Sequence, residues 1–175
     1  GAALRRCNLG RETALQAIEW GADGWPRLAG GGNAPRVQVP APRLEPHPFP
    51  VAPERDDFDR DELGLPWQTL RVPADESWVT LRERPGHLRL RGRESLRSRY
   101  YQSLVGRRLQ AHRAVAETCL EFEPRSFKQM AGMALFYNSA NWVYLRVSRG
   151  DDGRRELGVL TCDNGSYDEP LDEEL

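Results

Sequence analysis

The sequence predicts an all-β protein whose larger part is an antiparallel β-sandwich, and three observations support this. Apolar and polar residues alternate in short runs, most clearly at 116–123 and 142–148, as they do in strands with one buried face. Turn-forming residues separate such runs at 138–141 and 151–153, where we expect hairpin loops. Helical periodicity is scarce, with 110–117 as the one ambiguous stretch. Regularly spaced strands of this kind are typical of a sandwich.

Residues 1–34 form the first predicted segment. An alternating run at 14–20 is followed by a Gly-Ala-Asp-Gly turn and then by Trp25, which predicts a hairpin. One hairpin cannot bury a core of its own. We therefore expect this segment to be the end of a larger upstream domain.

The segment 35–53 is predicted to be a linker. It contains seven of the thirteen prolines of the chain. Proline fixes φ and lacks a backbone donor, so neither a helix nor a central strand is expected. The segment should run extended, partly as polyproline II, over a surface.

Residues 54–175 are predicted to form the sandwich. Leu88 and Leu90 alternate with arginines at its start, and further alternating runs follow. The acidic stretch 168–175 contains Pro170 and is predicted to be a tail without a strand. We expect this domain to be incomplete at its C-terminus.

The overall charge argues against a nucleic-acid partner. The chain carries a net charge of −1 at pH 7, whereas nucleic-acid-binding domains usually have a positive excess. Nine arginines lie between Arg82 and Arg108, but several occupy the polar half of an alternation and have acidic neighbours. We interpret them as an outward sheet face.

Cysteine usage and hydropathy indicate a cytoplasmic protein. Cys7, Cys119 and Cys162 are sparse and lack zinc-ligand spacing. We expect Cys119 and Cys162 to be small buried apolar groups in strands, which suits a reducing compartment. No apolar run is long enough for a membrane span, and no signal peptide is present. The first residue is Gly and not Met, so the question whether a leader peptide precedes this sequence stays open.

Catalytic motifs are absent from the sequence. It contains no nucleophile elbow, phosphate-binding loop, zinc-protease motif or dinucleotide fingerprint. His47, His87 and His112 each stand alone. We therefore predict no catalytic residue in this chain and no organic cofactor.

Two residue groups suggest binding. Five acids at 56–62 could hold calcium, which takes six to eight oxygen ligands, or could form a solvated turn. Aromatic residues could stack on sugars, although most should be core residues in a sandwich. These aromatic candidates are Trp67, Trp78, Trp142, Tyr137 and Tyr144.

Several long motifs resemble one family. They are DDFD at 56–59, LPWQTLR at 65–71, ERPGHLRL at 83–90, GRESL at 92–96 and TCDN at 161–164. They resemble the C-terminal concanavalin A-like domain, of jelly-roll type, of glycoside hydrolase family 43 β-xylosidases. The upstream CNLGRETALQ at 7–16 and DGWPRL at 23–28 resemble the last strand pair of that family's five-bladed catalytic β-propeller.

The resemblance implies part of an inverting exo-glycosidase that releases xylose from β-1,4-xylo-oligosaccharides, sometimes with α-L-arabinofuranosidase activity. The family's catalytic carboxylates lie in earlier blades, outside this chain. This portion is then expected to support and close the sugar pocket together with the remaining propeller, in a homo-oligomer. The alternative is a non-catalytic carbohydrate-binding or assembly module.

Three site residues follow from the resemblance. Arg11, in the segment Gly-Arg-Glu-Thr, is implied to bind the sugar, because a guanidinium offers a rigid fork of donors to hydroxyl groups. A structural ion pair with Glu12 is the alternative role. Asp57 and Gly86 are implied to hold a structural calcium ion, together with a later Asp that lies outside the sequence.

Overall fold

The computed structural model describes residues 13–174. The chain divides into two compact units, Gly1–Val51 and Ala52–Leu175. Within the described residues every regular element is a β-strand, which confirms the all-β class. The same residues contain no helix that could cross a lipid bilayer.

The first unit contains one antiparallel hairpin. Strand β1 (Ile18–Trp20) pairs with β2 (Pro26–Leu28). Gly24 has a φ of 78° in the turn between them, a left-handed conformation that glycine adopts without steric cost. The predicted turn is confirmed, but β1 is shorter than the alternating run at 14–20. Proline is accepted in β2 because it stands at the end of a two-stranded pair.

The second unit begins with four short strands. They form two antiparallel pairs, β3 with β6 and β4 with β5. Their bounds are β3 Trp67–Thr69, β4 Val79–Thr80, β5 Arg89–Leu90 and β6 Val105–Arg107. Long loops separate these strands, so side-chain contacts hold much of this half of the unit in place.

The second half of the unit is a four-stranded antiparallel sheet with the order β10-β9-β8-β7. Each strand joins the next through a hairpin, and turns at 139–140 and 151–153 confirm the two predicted loops. The bounds of the strands are β7 Ala131–Asn138, β8 Asn141–Arg149, β9 Arg155–Asp163 and β10 Ser166–Glu174.

The register of this sheet divides its side chains into two faces, because directly opposed residues share a face and neighbours along a strand do not. The Trp142 face includes Phe136, Trp142, Tyr144, Arg146, Ser148 and Cys162. The Val143 face includes Met133, Leu135, Val143, Leu145, Val159 and Leu171.

The Trp142 face is the more deeply buried of the two. Trp142 is 6% exposed, whereas Leu135 on the Val143 face is 67% exposed. Preceding loop segments cover the Trp142 face, since Ser148 Oγ donates to the carbonyl of Phe127 at 3.1 Å. The next residue along β8, Arg149, donates through Nη1 to the carbonyl of Pro124 at 3.1 Å and holds the same loop.

The strand predicted at 116–123 is wrong. This segment has no strand pairing, and Cys119 is exposed instead of buried. Side chains hold the segment: Glu121 pairs with Arg84, and Glu123 pairs with Arg155 at 3.1 Å. Alternation favours a strand only where a neighbouring edge supplies backbone partners, and here arginines bind the acidic half of the pattern.

The prediction of a strandless acidic tail is also wrong. Residues 166–174 form β10, which pairs with β9 through a register shift between Asp168 and Leu171. Pro170 lies within this shift. A proline and many acids are compatible with an edge strand, because one side of the strand needs no backbone donors and charged residues are common on sheet edges.

The apolar core of the second unit is centred on Trp78, which is 1% exposed and opens a buried run through Leu81. The indole Nε1 donates to the carbonyl of Pro73 at 3.1 Å. Arg93 Cζ lies 4.3 Å from the ring centroid, and the same guanidinium donates to the carbonyl of Gln102 at 2.8 Å. Trp78 therefore joins three loops that have few strand hydrogen bonds of their own.

Replacing Trp78 with alanine should lower the free energy of unfolding by about 3–5 kcal/mol, the usual cost of removing a buried large aromatic side chain. Urea denaturation followed by circular dichroism measures the change. Leu135→Ala is the control, since this side chain is mostly exposed and its loss should cost less than about 1 kcal/mol. Equal losses for the two variants would contradict the position of the core.

Candidate functional site

Arg11, the predicted sugar ligand, lies outside the described residues. Its role therefore stays a prediction. The candidate site residues in the second unit are described, and they lie near the start of that unit.

Asp56 organises the first turn of the second unit. One carboxylate oxygen, Oδ1, accepts the backbone N–H of Phe58 at 3.0 Å, and the other, Oδ2, accepts Trp67 Nε1 at 2.6 Å. Phe58 takes a φ of 53°, which is uncommon for a bulky residue and needs support from its surroundings. The bond from Trp67 is the main cause that lowers the pKa of Asp56. The acid is thus a structural acceptor that holds a bent segment.

Trp67 and its neighbours attach this turn to the strands. The rings of Phe58 and Trp67 are 5.4 Å apart, and Arg107 Cζ lies 5.6 Å from the Trp67 centroid. Arg107 also donates to the carbonyls of Pro53 and Glu54, at 3.2 Å each. Because Trp67 lies on β3 and Arg107 on β6, the cluster anchors the end of the proline-rich segment to this strand pair.

Asp57 and Gly86, the predicted calcium ligands, are brought close together. The Gly86 N–H donates to the carbonyl of Phe58 at 3.1 Å. Gly86 has a φ of 76°, and a Cβ built on it would lie 3.8 Å from the Asp57 carbonyl oxygen. A carboxylate and backbone carbonyls are the hard oxygen ligands that calcium takes, so the donor type fits. Glycine is required here by its left-handed backbone rather than by crowding.

The Asp57 carboxylate is turned towards Arg55 in this structure. Arg55 Nη2 lies 2.6 Å from Asp57 Oδ1, and Arg55 Nε donates to the same oxygen at 2.7 Å. Glu62 pairs with Arg82 at 3.7 Å, so the acids at 56–62 do not converge on one point. Across residues 13–174 no three His, Cys, Asp or Glu side chains are grouped as metal ligands. Asp57 and Gly86 could supply only part of a calcium shell.

The arginines of 82–108 are largely occupied by neighbours. Glu83 pairs with Arg91 and, at 2.6 Å, with Arg89. Hydrogen bonding from Arg89 is the main cause that lowers the pKa of Glu83. Arg93 and Arg107 bind backbone carbonyls and aromatic rings, as described above. These arginines mainly link neighbouring loops to one another.

Sequence reasoning missed a polar cavity of about 410 Å³ at one end of the Trp142 face. Arg146, 4% exposed, pairs there with Glu169. A Cβ at Gly158 would lie 3.0 Å from Arg146 Cζ, so glycine leaves the space that this guanidinium fills. Phe127 also lines the cavity, and its ring is exposed. The sequence did carry a signal for this position. Every second residue of a strand lies on the same face, and Arg146 is four residues after Trp142.

The aromatic candidates separate into core and surface residues. Trp78 and Trp142 are buried, and Tyr137 is exposed. Burial is the main cause that raises the pKa of Tyr144 to about 12. Trp67 is bound to Asp56, as described above. Of the five candidates, Tyr137 alone presents a largely open ring to a ligand.

The fold defines a class of protein, an all-β domain built around a four-stranded antiparallel sheet. The family described as the β-xylosidase C-terminal concanavalin A-like domain matches residues 55–175. The chain therefore belongs to this family, which is part of the glycoside hydrolase family 43 β-xylosidases.

Two curated relatives and one solved structure show the extent of the similarity. A xylan 1,3-β-xylosidase from Vibrio sp. is 47% identical over 92% of this chain and 30% of its own length. A β-xylosidase from Bacillus subtilis (strain 168) is 40% identical over 97% and 32%. The crystal structure of xylan β-1,4-xylosidase from Bacillus halodurans C-125 has a TM-score of 0.84 and 45% identity, over 97% of this chain and 33% of that one. The chain thus spans about a third of these proteins.

Acid should weaken the Asp56 turn. Because the folded pKa of Asp56 is lowered, its contribution to stability is complete above the ordinary Asp pKa of about 3.9 and is lost as the pH falls through the lower folded value. Asp56→Asn should cost about 1 kcal/mol at pH 7, since the turn is exposed. The difference from wild type should shrink towards pH 2.

Urea denaturation at several pH values measures this effect. Asp59→Asn is the matched control, because it removes the same charge from the same exposed segment and has no described bond to Trp67. A loss at Asp56 that stays constant down to pH 2 would show that ionisation of this carboxyl is not involved.

Proposed function

We propose that the chain is the C-terminal portion of a β-xylosidase and that it supports the sugar pocket without supplying the catalytic acids. The observation that carries the proposal is the family match over 55–175, together with relatives above 40% identity that are named as xylosidases. The substrate class would be β-1,4-linked xylo-oligosaccharides, cleaved from the end with inversion.

Two carboxylates that line the cavity are held by arginines. A glycosidase of this mechanism needs one carboxyl group that keeps a proton and one carboxylate that activates water. Glu169 is paired with Arg146, and Asp152 lies 3.7 Å from Arg154. Such pairs are typical of structural acids. This supports a position of the catalytic acids elsewhere in the full enzyme.

The chain alone should not turn over 4-nitrophenyl β-D-xyloside. A chimera of the Bacillus subtilis β-xylosidase should do so when the matched third of that enzyme is replaced by this chain. Trp78→Ala within the chimera is the control, because loss of the core should remove activity together with the folded domain. Turnover by the chain alone, or a folded but inactive chimera, would contradict the proposal.

The same chimera tests Arg11. Arg11→Ala should lower kcat/KM by about 10- to 100-fold, the range expected when charge-assisted hydrogen bonds to a substrate are lost. Arg11→Lys should recover only part of this, since an ammonium lacks the planar fork. Unchanged kinetics with an altered melting temperature would assign Arg11 to a structural ion pair instead.

A carbohydrate-binding module is the second candidate function, and the cavity beside Phe127 favours it. An exposed ring next to buried polar groups is a common arrangement for holding a sugar. Calorimetric titration of the chain with xylotriose separates the two candidates. Saturable heat that is lost in Phe127→Ala supports a binding module, and absence of heat supports a purely supporting role.

We also propose that Asp57 and Gly86 supply part of a structural calcium site. Calcium would cross-link the turn at Asp57 to the loop at Gly86 and would draw the Asp57 carboxylate away from Arg55. Calcium should therefore raise the melting temperature by about 3 °C relative to EDTA, since a ligand that binds only the folded state stabilises it.

Two variants test the ligand assignment by thermal melting. Asp57→Ala should remove the response to calcium, and Arg55→Ala should let it saturate at lower calcium concentrations because a competing cation is gone. Magnesium at the same concentration is the control, since it prefers a smaller octahedral shell. A response that survives Asp57→Ala would place the ion elsewhere.

A further inference from the structure

Both ends of the proline-rich segment are held by side chains that bind its main chain. The part between these two attachments, residues 37–52, contains five prolines. Proline fixes its own φ and keeps the residue before it out of the helical region. A chain of this composition stays extended and stiff over several residues without internal hydrogen bonds. Its course therefore depends on how its two ends are held.

The first end is held by Gln16. Its side-chain Nε2 donates to the carbonyl of Arg36 at 3.0 Å, and its Oε1 accepts the Arg36 N–H at 3.1 Å. One amide group thus satisfies both main-chain groups of a single residue, as a neighbouring strand does in an antiparallel sheet. Two bonds to one residue fix both the position and the direction of the chain there. We call this contact the Gln16 clamp.

Three glycines make room for the Gln16 clamp. Gly31 and Gly32 have φ values of 73° and 74°, and such left-handed residues turn the chain back after β2 without steric cost. Arg36 Nη2 donates to the carbonyl of Gly30 at 2.5 Å, and a Cβ at Gly30 would lie 2.6 Å from Arg36 Cζ. A side chain at position 30 would therefore displace the guanidinium that supports the clamp.

The second end is held by Arg107 on β6, through its bonds to the carbonyls of Pro53 and Glu54. Trp67 lies directly opposite on β3, and its ring centroid is 5.6 Å from the guanidinium carbon. A guanidinium is planar and always charged, so it presents its donors in a fixed geometry. We call this contact the Arg107 clamp.

We propose that Gln16 and Arg107 are positioning residues of the proposed β-xylosidase, and that the stiff segment 37–52 is a strut held between their two clamps. The inference rests on the proposed function, in which the second unit supports the sugar pocket. Loss of either clamp leaves one end of the strut free to pivot, so fewer molecules hold the arrangement that binds substrate. The apparent dissociation constant rises as that fraction falls. Substrate binding should therefore be affected more than the chemical step.

Kinetics of the chimera with the Bacillus subtilis β-xylosidase test the positioning role. Gln16→Ala and Arg107→Ala should each raise KM for 4-nitrophenyl β-D-xyloside about three- to tenfold and leave kcat within about twofold. Arg107→Lys should recover part of the loss, because an ammonium can still donate to one carbonyl. Gln38→Ala and Arg108→Ala are the matched controls and should change neither constant, since both residues are exposed and have no described hydrogen bond.

A softened strut separates positioning from local stability. Replacing Pro46, Pro48 and Pro50 together with glycine makes the segment flexible and should itself raise KM. Adding Gln16→Ala to this variant should raise KM by less than about twofold more, because a flexible segment no longer transmits the position of its end. Independent sites would instead give effects on KM that multiply, and that result would overturn the proposal.

Trypsin gives a second readout that needs no turnover. Arg43 is the only arginine or lysine in 37–52, and it lies in a tight turn in which the Leu44 N–H donates to the Pro42 carbonyl at 2.8 Å. Cleavage after Arg43 requires this segment to open locally. The two clamp variants of the chimera should be cut there at least about threefold faster than the two controls. Mass spectrometry measures the rate, and circular dichroism melts confirm that all variants stay folded.

The outcomes separate this inference from the proposed function. A folded but inactive chimera contradicts the proposed function, and cleavage after Arg43 then decides by itself whether the strut exists. An active chimera whose clamp variants match the controls in KM or in cleavage rate keeps the proposed function and overturns the strut. Raised KM together with faster cleavage, in both clamp variants and in neither control, supports it.

Discussion

The antiparallel register between β8 and β9 is the constraint on which the rest of the second unit depends. It pairs Trp142 with Cys162 and Arg146 with Gly158, and so assigns every residue of both strands to one of two faces. A shift of one residue would exchange the faces and move the Arg146–Glu169 pair from the buried side into the aliphatic one. The register thereby decides where the cavity forms, which loops can cover the sheet and which apolar side chains stay in solvent.

The buried face of this sheet is not its more aliphatic face. Aliphatic side chains dominate the Val143 face, yet the loops pack on the face that carries Trp142, Arg146 and Ser148. That is feasible because the most polar side chains there have partners: Ser148 bonds to the Phe127 carbonyl and Arg146 pairs with Glu169. Directional contacts of this kind hold loops in fixed positions, whereas aliphatic contacts alone would not specify them.

Contacts of aromatic rings and guanidinium groups hold together the half of the unit that has few hydrogen bonds between strands. Asp56 binds Trp67 Nε1 at 2.6 Å, and Arg93 lies 4.3 Å from the Trp78 ring. Each contact joins two segments that are distant in sequence. The strand pairs in this half of the unit are only two or three residues long. In the proposed supporting role this rigidity would matter, because a pocket closed by a second domain loses its geometry if that domain is loose.

By itself, the sequence determined the all-β class, the hairpin turns at 138–141 and 151–153, and the motifs of the family, because these depend on local alternation and turn chemistry. It also named Asp57 and Gly86, which the fold brings together. The tertiary structure alone decided that 116–123 forms no strand, that 168–174 does, which sheet face is buried and that Arg146 reaches a cavity. In each of these cases the outcome depends on whether a distant edge, loop or arginine is present to satisfy the backbone or the side chain, and local pattern carries no information about that partner.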